Sequence, residues 1–344
     1  MNTHYKLTQD DIREIDTLLD EITGRYKTVE DDEFVRNATV YSHDLPRPVR
    51  SFINDFKTRD DGEGYCVVSG FPVDESLIGP TPKHWRDQDG LPTPLREQVL
   101  LTLLGSLLGE VFGWATQQAG HLVHNVMPIK EHENEQLGTG SKELLWWHVE
   151  DAFHPYRGDY LGMMCLRNPD NVATTIASIN KVKLDERQKQ ILFEPHFIIH
   201  PDESHLEKNR GVPPETLQEE EAILKESYQN IEKLNHDPDK IPILFGSLDS
   251  PYIRIDPYFM PPVDSPEVQQ ALENLIQSLE GALEDLILQP GDYCFIDNFK
   301  AVHGRKPFQA RHNGTDRWLK RVNITRDLRK SRSVRRSCTS RTIY

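Results

Sequence analysis

Hydrophobic residues recur along the chain with two spacings, and the switches between them outline the elements. Within residues 8–26, Ile12, Ile15, Leu18, Leu19 and Ile22 fall three and four apart, one stripe of an amphipathic helix. Thr8 with Asp11 has the form of a capping box at its start. Residues 95–112 are apolar almost throughout and predict a buried helix, with Gly105 and Gly109 placed for close packing on a sheet. Ser265 and Pro266 open another helix, to about residue 283, whose stripe is Val268, Leu272, Leu275, Ile276 and Leu279. A short helix begins at Asp185.

Strands read from β-branched, aromatic and short apolar runs at 65–71, 122–129, 160–166 and 172–179, and at 241–245 and 252–256 around a turn. Residues 286–288 and 293–297 flank a Gln-Pro-Gly-Asp turn and predict a hairpin. Residues 79–94 are polar and rich in Pro and Gly, a loop, and 130–142 read as a mobile charged loop. Residues 207–235 are charged and acidic, a solvated insertion, helical in part.

Composition narrows the class. The 344 residues suffice for one large core, and no linker, repeat, P-loop or GxGxxG after a strand divides them, so a single domain over 1–344 is expected. The net charge of −15 and isoelectric point near 5.4 argue against general nucleic-acid binding. No run of 18 apolar residues exists and the N-terminus has no apolar signal region, so no membrane span is expected and the cytoplasm is the default location. The four cysteines are widely spaced without a C-x-x-C pair; Cys66, Cys165 and Cys294 read as buried thiols. The tail, 326–344, holds seven basic residues and one acid between 326 and 341, and reads as an anion-binding segment or a solvated end.

The candidate chemistry begins at Trp147-His148-Val149-Glu150-Asp151. A His and a carboxylate at i and i+2 share one face of a strand. His303, in Asp297-Asn298-Phe299-Lys300-Ala301-Val302-His303-Gly304-Arg305, would complete a set of two imidazoles and one carboxylate, the facial triad of non-haem Fe(II) oxygenases. A bare His-x-Glu arises often by chance, and the arginines downstream change its weight. Arg317 and Arg321 follow four apart, on one face of a strand, and a guanidinium grips carboxylates in a bidentate fork. His196, His200 and His205 lie close together without a matching carboxylate pattern and are expected not to bind metal.

These stretches resemble the clavaminate synthase-like branch of the Fe(II)/2-oxoglutarate-dependent oxygenases, and within it the arginine β-hydroxylase and L-lysine hydroxylase group. The resemblance runs from about residue 41 to 332. It is carried by FGWATQQ (112–118), WHVEDAFHPYRGDY (147–160), LRNPD (166–170), PDESHL (201–206), DNFKAVHGR (297–305) and DRWLKRVNITRDL (316–328). It implies a mainly β fold with flanking helices, the double-stranded β-helix or jelly roll. It implies Fe(II) on His148, Glu150 and His303, with 2-oxoglutarate and O2 as cosubstrates. Arg317, with Thr175, would hold 2-oxoglutarate. Arg321 would take the substrate α-carboxylate, and Gln117 with Glu150 its α-amine. Asp202 and Ser204 would belong to a lid, within a lid and insertion around 201–236.

Asp256 is left to receive a cationic side chain, so the partner implied is a free basic L-amino acid, with a homo-oligomer left open. The arginine-hydroxylase pattern has two aspartates, i and i+2, at this place, whereas this chain has Asp256 and Tyr258. A planar guanidinium gains from a fork of acceptors and an ammonium needs one carboxylate and an aromatic face. The expectation is therefore hydroxylation at C3 or C4 of L-lysine, with arginine, citrulline, ornithine or desaturation as alternatives. A jelly-roll binding protein without metal chemistry would show a broken triad, and a halogenase would lack the carboxylate ligand; Glu150, His148 and His303 argue against both.

Overall fold

Two sheets face each other, and the strands that carry the chemistry lie on both. The computed structural model describes residues 2–59, 61–87, 93–209 and 218–344. The strands are β1 (His4–Lys6), β2 (Tyr65–Ser69), β3 (Glu110–Trp114), β4 (Val123–Val126), β5 (Leu145–His148), β6 (Tyr160–Arg167) and β7 (Thr174–Ser178). They continue with β8 (Leu244–Gly246), β9 (Pro251–Ile253), β10 (Glu284–Leu286), β11 (Tyr293–Asp297), β12 (Ala301–Arg305), β13 (Trp318–Thr325) and β14 (Thr342–Ile343). The major sheet runs β1-β2-β11-β6-β13-β3-β14, with β4 also paired to β13. The minor sheet runs β10-β7-β12-β5, and β8 with β9 forms a separate hairpin. This is the double-stranded β-helix with flanking helices that the sequence motifs imply.

The helices are α1 (Gln9–Arg25), α2 (Asp32–Ser42), α3 (Arg47–Thr58), α4 (Glu75–Ile78), α5 (Leu95–Leu108), α6 (Glu186–Leu192), α7 (Gln218–His236) and α8 (Pro266–Gly281). The Thr8 capping box is present, and the α1 stripe packs with α2, α3 and α5 onto the outer face of the major sheet. Helices α6 and α8 cover the outer face of the minor sheet. Ser265 stands at the N-cap of α8 but makes no side-chain capping bond. Between the sheets lies a third apolar cluster, Leu161, Met163, Cys165, Ile176, Cys294, Ile296 and Leu319 among its members.

Three expectations need correction. The apolar run 95–112 is not one helix: α5 ends at Leu108 and β3 begins at Glu110. Gly109 is the break, because a Cβ there would stand 2.3 Å from the Thr325 carbonyl oxygen, so only glycine permits this approach. Residues 286–288 and 293–297 are not a hairpin, since β10 pairs with β7 in one sheet and β11 with β2 and β6 in the other. The loop 130–142 reaches the cavity through Gln136, Leu137 and Gly138, and its Glu133 accepts hydrogen bonds from Lys130 (2.9 Å), Lys142 (2.7 Å) and His312 (3.1 Å). The tail is not a solvated end: β14 pairs with β3, and the buried Arg335 donates to the carbonyls of Leu328, Ser337 and Ser340. Of the expected 79–94 loop, 88–92 lie outside the described residues, as do 210–217 of the acidic insertion, whose α7 forms the helical part.

Candidate active site

The cavity opens between the two sheets. Its walls include His148, Thr174 and His303 from the minor sheet, and Leu161, Met163, Leu319 and Arg321 from the major sheet, with Arg317 just before β13. Sheet pairing closes the long sequence gap: His303 stands directly opposite His148 across β12 and β5, with ring centroids 4.7 Å apart. Glu150 departs from expectation, because β5 ends at His148 and the chain then turns, with Asp151 at φ +51°. Asn298 sets its place instead. The Asn298 side chain accepts from the Glu150 backbone N–H (2.8 Å) and donates to the carbonyls of Glu150 (3.0 Å) and Gly158 (2.9 Å).

His148 Nδ1 is 2.8 Å from the Trp146 carbonyl, so Nδ1 carries a proton there and Nε2 is the nitrogen turned toward Glu150. His148 Nε2 and His303 Nε2 lie 3.6 Å and 3.4 Å from the same Glu150 oxygen, Oε2. One donor atom from each of the three residues lies within 4.8 Å of the others, so two imidazoles and one carboxylate fit a metal of the facial-triad kind. Burial pushes the Glu150 carboxyl up, but Arg321 with both histidines outweighs it and holds the group well below the usual carboxylate range. Burial works against a charge on His148, yet Glu150 and Asp256 raise it to about 9. His303 is lowered, by burial first.

Alternation along β13 sorts its side chains. Arg317, Leu319 and Arg321 face the cavity, whereas Trp318 and Val322 pack into the helix-side core. Arg317 is buried; its Nη2 lies 3.4 Å from Thr174 Oγ1, and its Nε has no partner among the described residues. Burial lowers its pKa only to about 10, so it stays cationic at neutral pH. A buried guanidinium with spare donors fits the far carboxylate of 2-oxoglutarate. Thr175 does not line the cavity. It pairs with Gly304, whereas Thr174 pairs with Arg305 and shares the cavity face with His303, so a shift of one residue reverses the side.

Arg321 is held by three groups. It donates through Nη1 to Glu150 Oε1, and through Nη2 to Gln117 Oε1 (3.0 Å) and His124 Nδ1 (2.9 Å). Gln117 Nε2 donates in turn to Ser204 Oγ (2.6 Å). Asp202 caps the Ser204 backbone N–H (2.9 Å), and both Asp202 and Ser204 line the cavity. His205 is fully buried, with Nδ1 2.7 Å from Thr116 Oγ1 and Nε2 3.0 Å from both Asp151 Oδ1 and Gln117 Nε2. It lies within ligand range of Asp151 and Asp202, but both ring nitrogens are already engaged. His196 sits beside Glu194 (3.0 Å).

Asp256 and Tyr258 line the same cavity. Asp256 is 7% exposed, and burial raises its pKa to about 6; the Tyr258 ring is 53% exposed. Sequence reasoning had no role for Asn298, His124 or Thr174. Asn298 and Thr174 lay within or beside marked stretches. Nothing in the run 122–129 distinguishes His124, whose role comes only from strand pairing.

A triad under a buried arginine is a family-level arrangement, and comparison with known proteins agrees. Residues 86–323 match the model of the taurine catabolism dioxygenase TauD, TfdA family. Over 98% of both chains, this chain is 44% identical to an enduracididine beta-hydroxylase of Streptomyces hygroscopicus and 41% identical to an L-ornithine/L-arginine 3-hydroxylase of Catenulispora acidiphila. The crystal structure of the non-heme iron oxygenase OrfP with Fe, succinate and (3S)-hydroxy-L-Arg superposes with a TM-score of 0.91 at 42% identity, covering 99% of each chain. OrfP has also been solved with Fe and alpha-ketoglutaric acid. Fe(II), 2-oxoglutarate and O2 are therefore the cofactor set of this chain, which belongs to the TauD/TfdA family and is a 2-oxoglutarate-dependent amino acid hydroxylase.

Proposed function

We propose that the protein hydroxylates C3 of free L-arginine or a close guanidino relative. The observation that carries this is a single cavity whose lining includes the triad, Arg317, Arg321 and the buried acid Asp256. Arg317 would hold 2-oxoglutarate with Thr174 beside it. Arg321 would take the substrate α-carboxylate, and Gln117, Glu150 and the lid residues Asp202 and Ser204 would surround its amine. That clamp demands a free amino acid, and Asp256 would receive the cationic end.

The lysine expectation rested on Tyr258 replacing a second carboxylate. Similarity supports the arginine alternative better, since the lysine hydroxylases compared are 26–28% identical, against 44% and 41% for the two relatives above. Tyr258 is compatible with this: its hydroxyl offers an acceptor and its ring a face for a guanidinium. C3 follows the 3- and beta-hydroxylase names of those same relatives.

Iron, 2-oxoglutarate and O2 together supply the oxidising power, with succinate and CO2 as by-products, and the chain supplies placement and exclusion of water. His148, Glu150 and His303 would occupy one face of the metal and leave the other to cosubstrate and O2. Glu150 would serve twice, through Oε2 toward the metal and Oε1 toward Arg321. The chain is read as one dioxygenase domain from 1 to 344, with a lid and insertion around 201–236, of which Asp202 and Ser204 line the cavity. No helix among the described residues is long and apolar enough to cross a membrane.

The test is succinate release by purified protein with Fe(II), ascorbate and 2-oxoglutarate against free L-arginine, L-lysine, L-ornithine and L-citrulline, with mass spectrometry of the products. One oxygen gained at C3 of arginine is expected. Oxygen gained on lysine in preference to arginine would return the reading to the lysine side.

A further inference from the structure

His124 on β4 stands directly opposite Arg321 on β13 and is 2% exposed. Its two ring nitrogens face groups of fixed character. Nε2 is 2.9 Å from the His121 carbonyl, which can only accept, so Nε2 carries the proton. Nδ1 is 2.9 Å from Arg321 Nη2, which can only donate, so Nδ1 is a bare lone pair. The two bonds together fix one tautomer and a neutral ring. Burial, with Arg321 and His121 beside it, pushes the imidazole well below its ordinary pKa, in the same sense.

The choice of a neutral partner matters for Arg321. Its charged partner, Glu150, is also a ligand of the triad, and Gln117 is neutral. A carboxylate at position 124 would bind the guanidinium strongly and compete with any incoming anion. An alkyl side chain would withdraw one acceptor from a partly buried donor. An imidazole acceptor orients the guanidinium and leaves its charge uncancelled.

We propose that His124 is a positioning residue which, as a neutral imidazole protonated on Nε2, aims Arg321 at the α-carboxylate of the amino acid while keeping its charge available. This rests on the role given to Arg321 above. It is distinct from the oxoglutarate end, where Arg317 has no such partner among the described residues.

The experiment measures KM for L-arginine and for 2-oxoglutarate in His124→Leu, His124→Asn and His124→Asp, with L-argininamide as a carboxylate-free probe. His124→Leu is expected to raise the arginine KM about tenfold, the effect of one hydrogen bond from a charged donor, with the 2-oxoglutarate KM within about twofold. His124→Asn restores an acceptor near the Nδ1 position and should stay within about threefold of wild type. His124→Asp should raise the arginine KM more than His124→Leu does, because its charge competes for Arg321. Equal rises in both KM values for the leucine variant, or an aspartate variant that behaves like asparagine, would overturn the proposal. Wild-type protein that discriminates against the amide while His124→Leu still binds arginine normally would overturn it alone. Wild-type protein that uses amide and acid equally would remove the Arg321 reading, and this inference with it.

Discussion

The two ends of the cavity are built to different standards. At the metal end the histidines lie on paired strands, and Glu150 is fixed by the hydrogen bonds of Asn298. At the end given above to the substrate side chain the wall includes Tyr258, 53% exposed, and the loop residues Gln136, Leu137 and Gly138 with Trp146, 37% exposed, line the same cavity. One buried acid, Asp256, supplies the charge there. On the reading proposed above, the sheets carry the reaction and the rim the choice of substrate.

The sharpest test of that contrast is at the metal. His303→Ala or His148→Ala should abolish iron binding and bring turnover to background, checked by metal analysis and succinate release; activity retained in either would end the triad assignment. Next in size, Arg317→Ala should raise the 2-oxoglutarate KM by about 30- to 100-fold, the range of a lost charge-assisted pair, with little change in the amino acid KM. Equal effects on both would mean that the two ends are not separate.

At the side-chain end, Asp256→Asn should raise the arginine KM by about tenfold or more while substrate-free consumption of 2-oxoglutarate continues. Its pH dependence gives a second reading. Burial raises Asp256 to about 6, so in the free protein it is ionised above that pH and neutral below it. Binding of a cationic side chain needs the ionised form. In wild type, kcat/KM for arginine should therefore fall about tenfold per pH unit below about 6, and Asp256→Asn should lack that component. Matching acid limbs in the two proteins would assign the fall to the metal ligands instead. The smallest effect is expected at Tyr258, where Tyr258→Asp should shift preference toward arginine over lysine by about threefold to tenfold. No change would place the ring outside the substrate's reach.

Local signals were read correctly where neighbours in sequence decide the structure. The Thr8 capping box, the α1 stripe and the shared face of Arg317 and Arg321 all follow from spacings of a few residues. The errors lie where a distant backbone intervenes. Gly109 ends α5 because Thr325 lies against it, and the turn at 289–292 crosses between sheets because β7 and β6 recruit its two flanks separately. Thr175, which the resemblance placed at 2-oxoglutarate, does not line the cavity, whereas Thr174, one step of register away, does.

The reaction class was legible in the sequence through its resemblance to a known family, which several motifs in order carry. The ligand types, the two arginines and their order along the chain restrict the chemistry, because an iron triad and a carboxylate-binding guanidinium depend on residue identity. Tertiary structure decided which atoms meet: His303 against His148, Asn298 under Glu150, and His124 as the neutral partner of Arg321. Those contacts come from strand register and sheet packing, which depend on pairings more than a hundred residues apart and leave no local spacing to read.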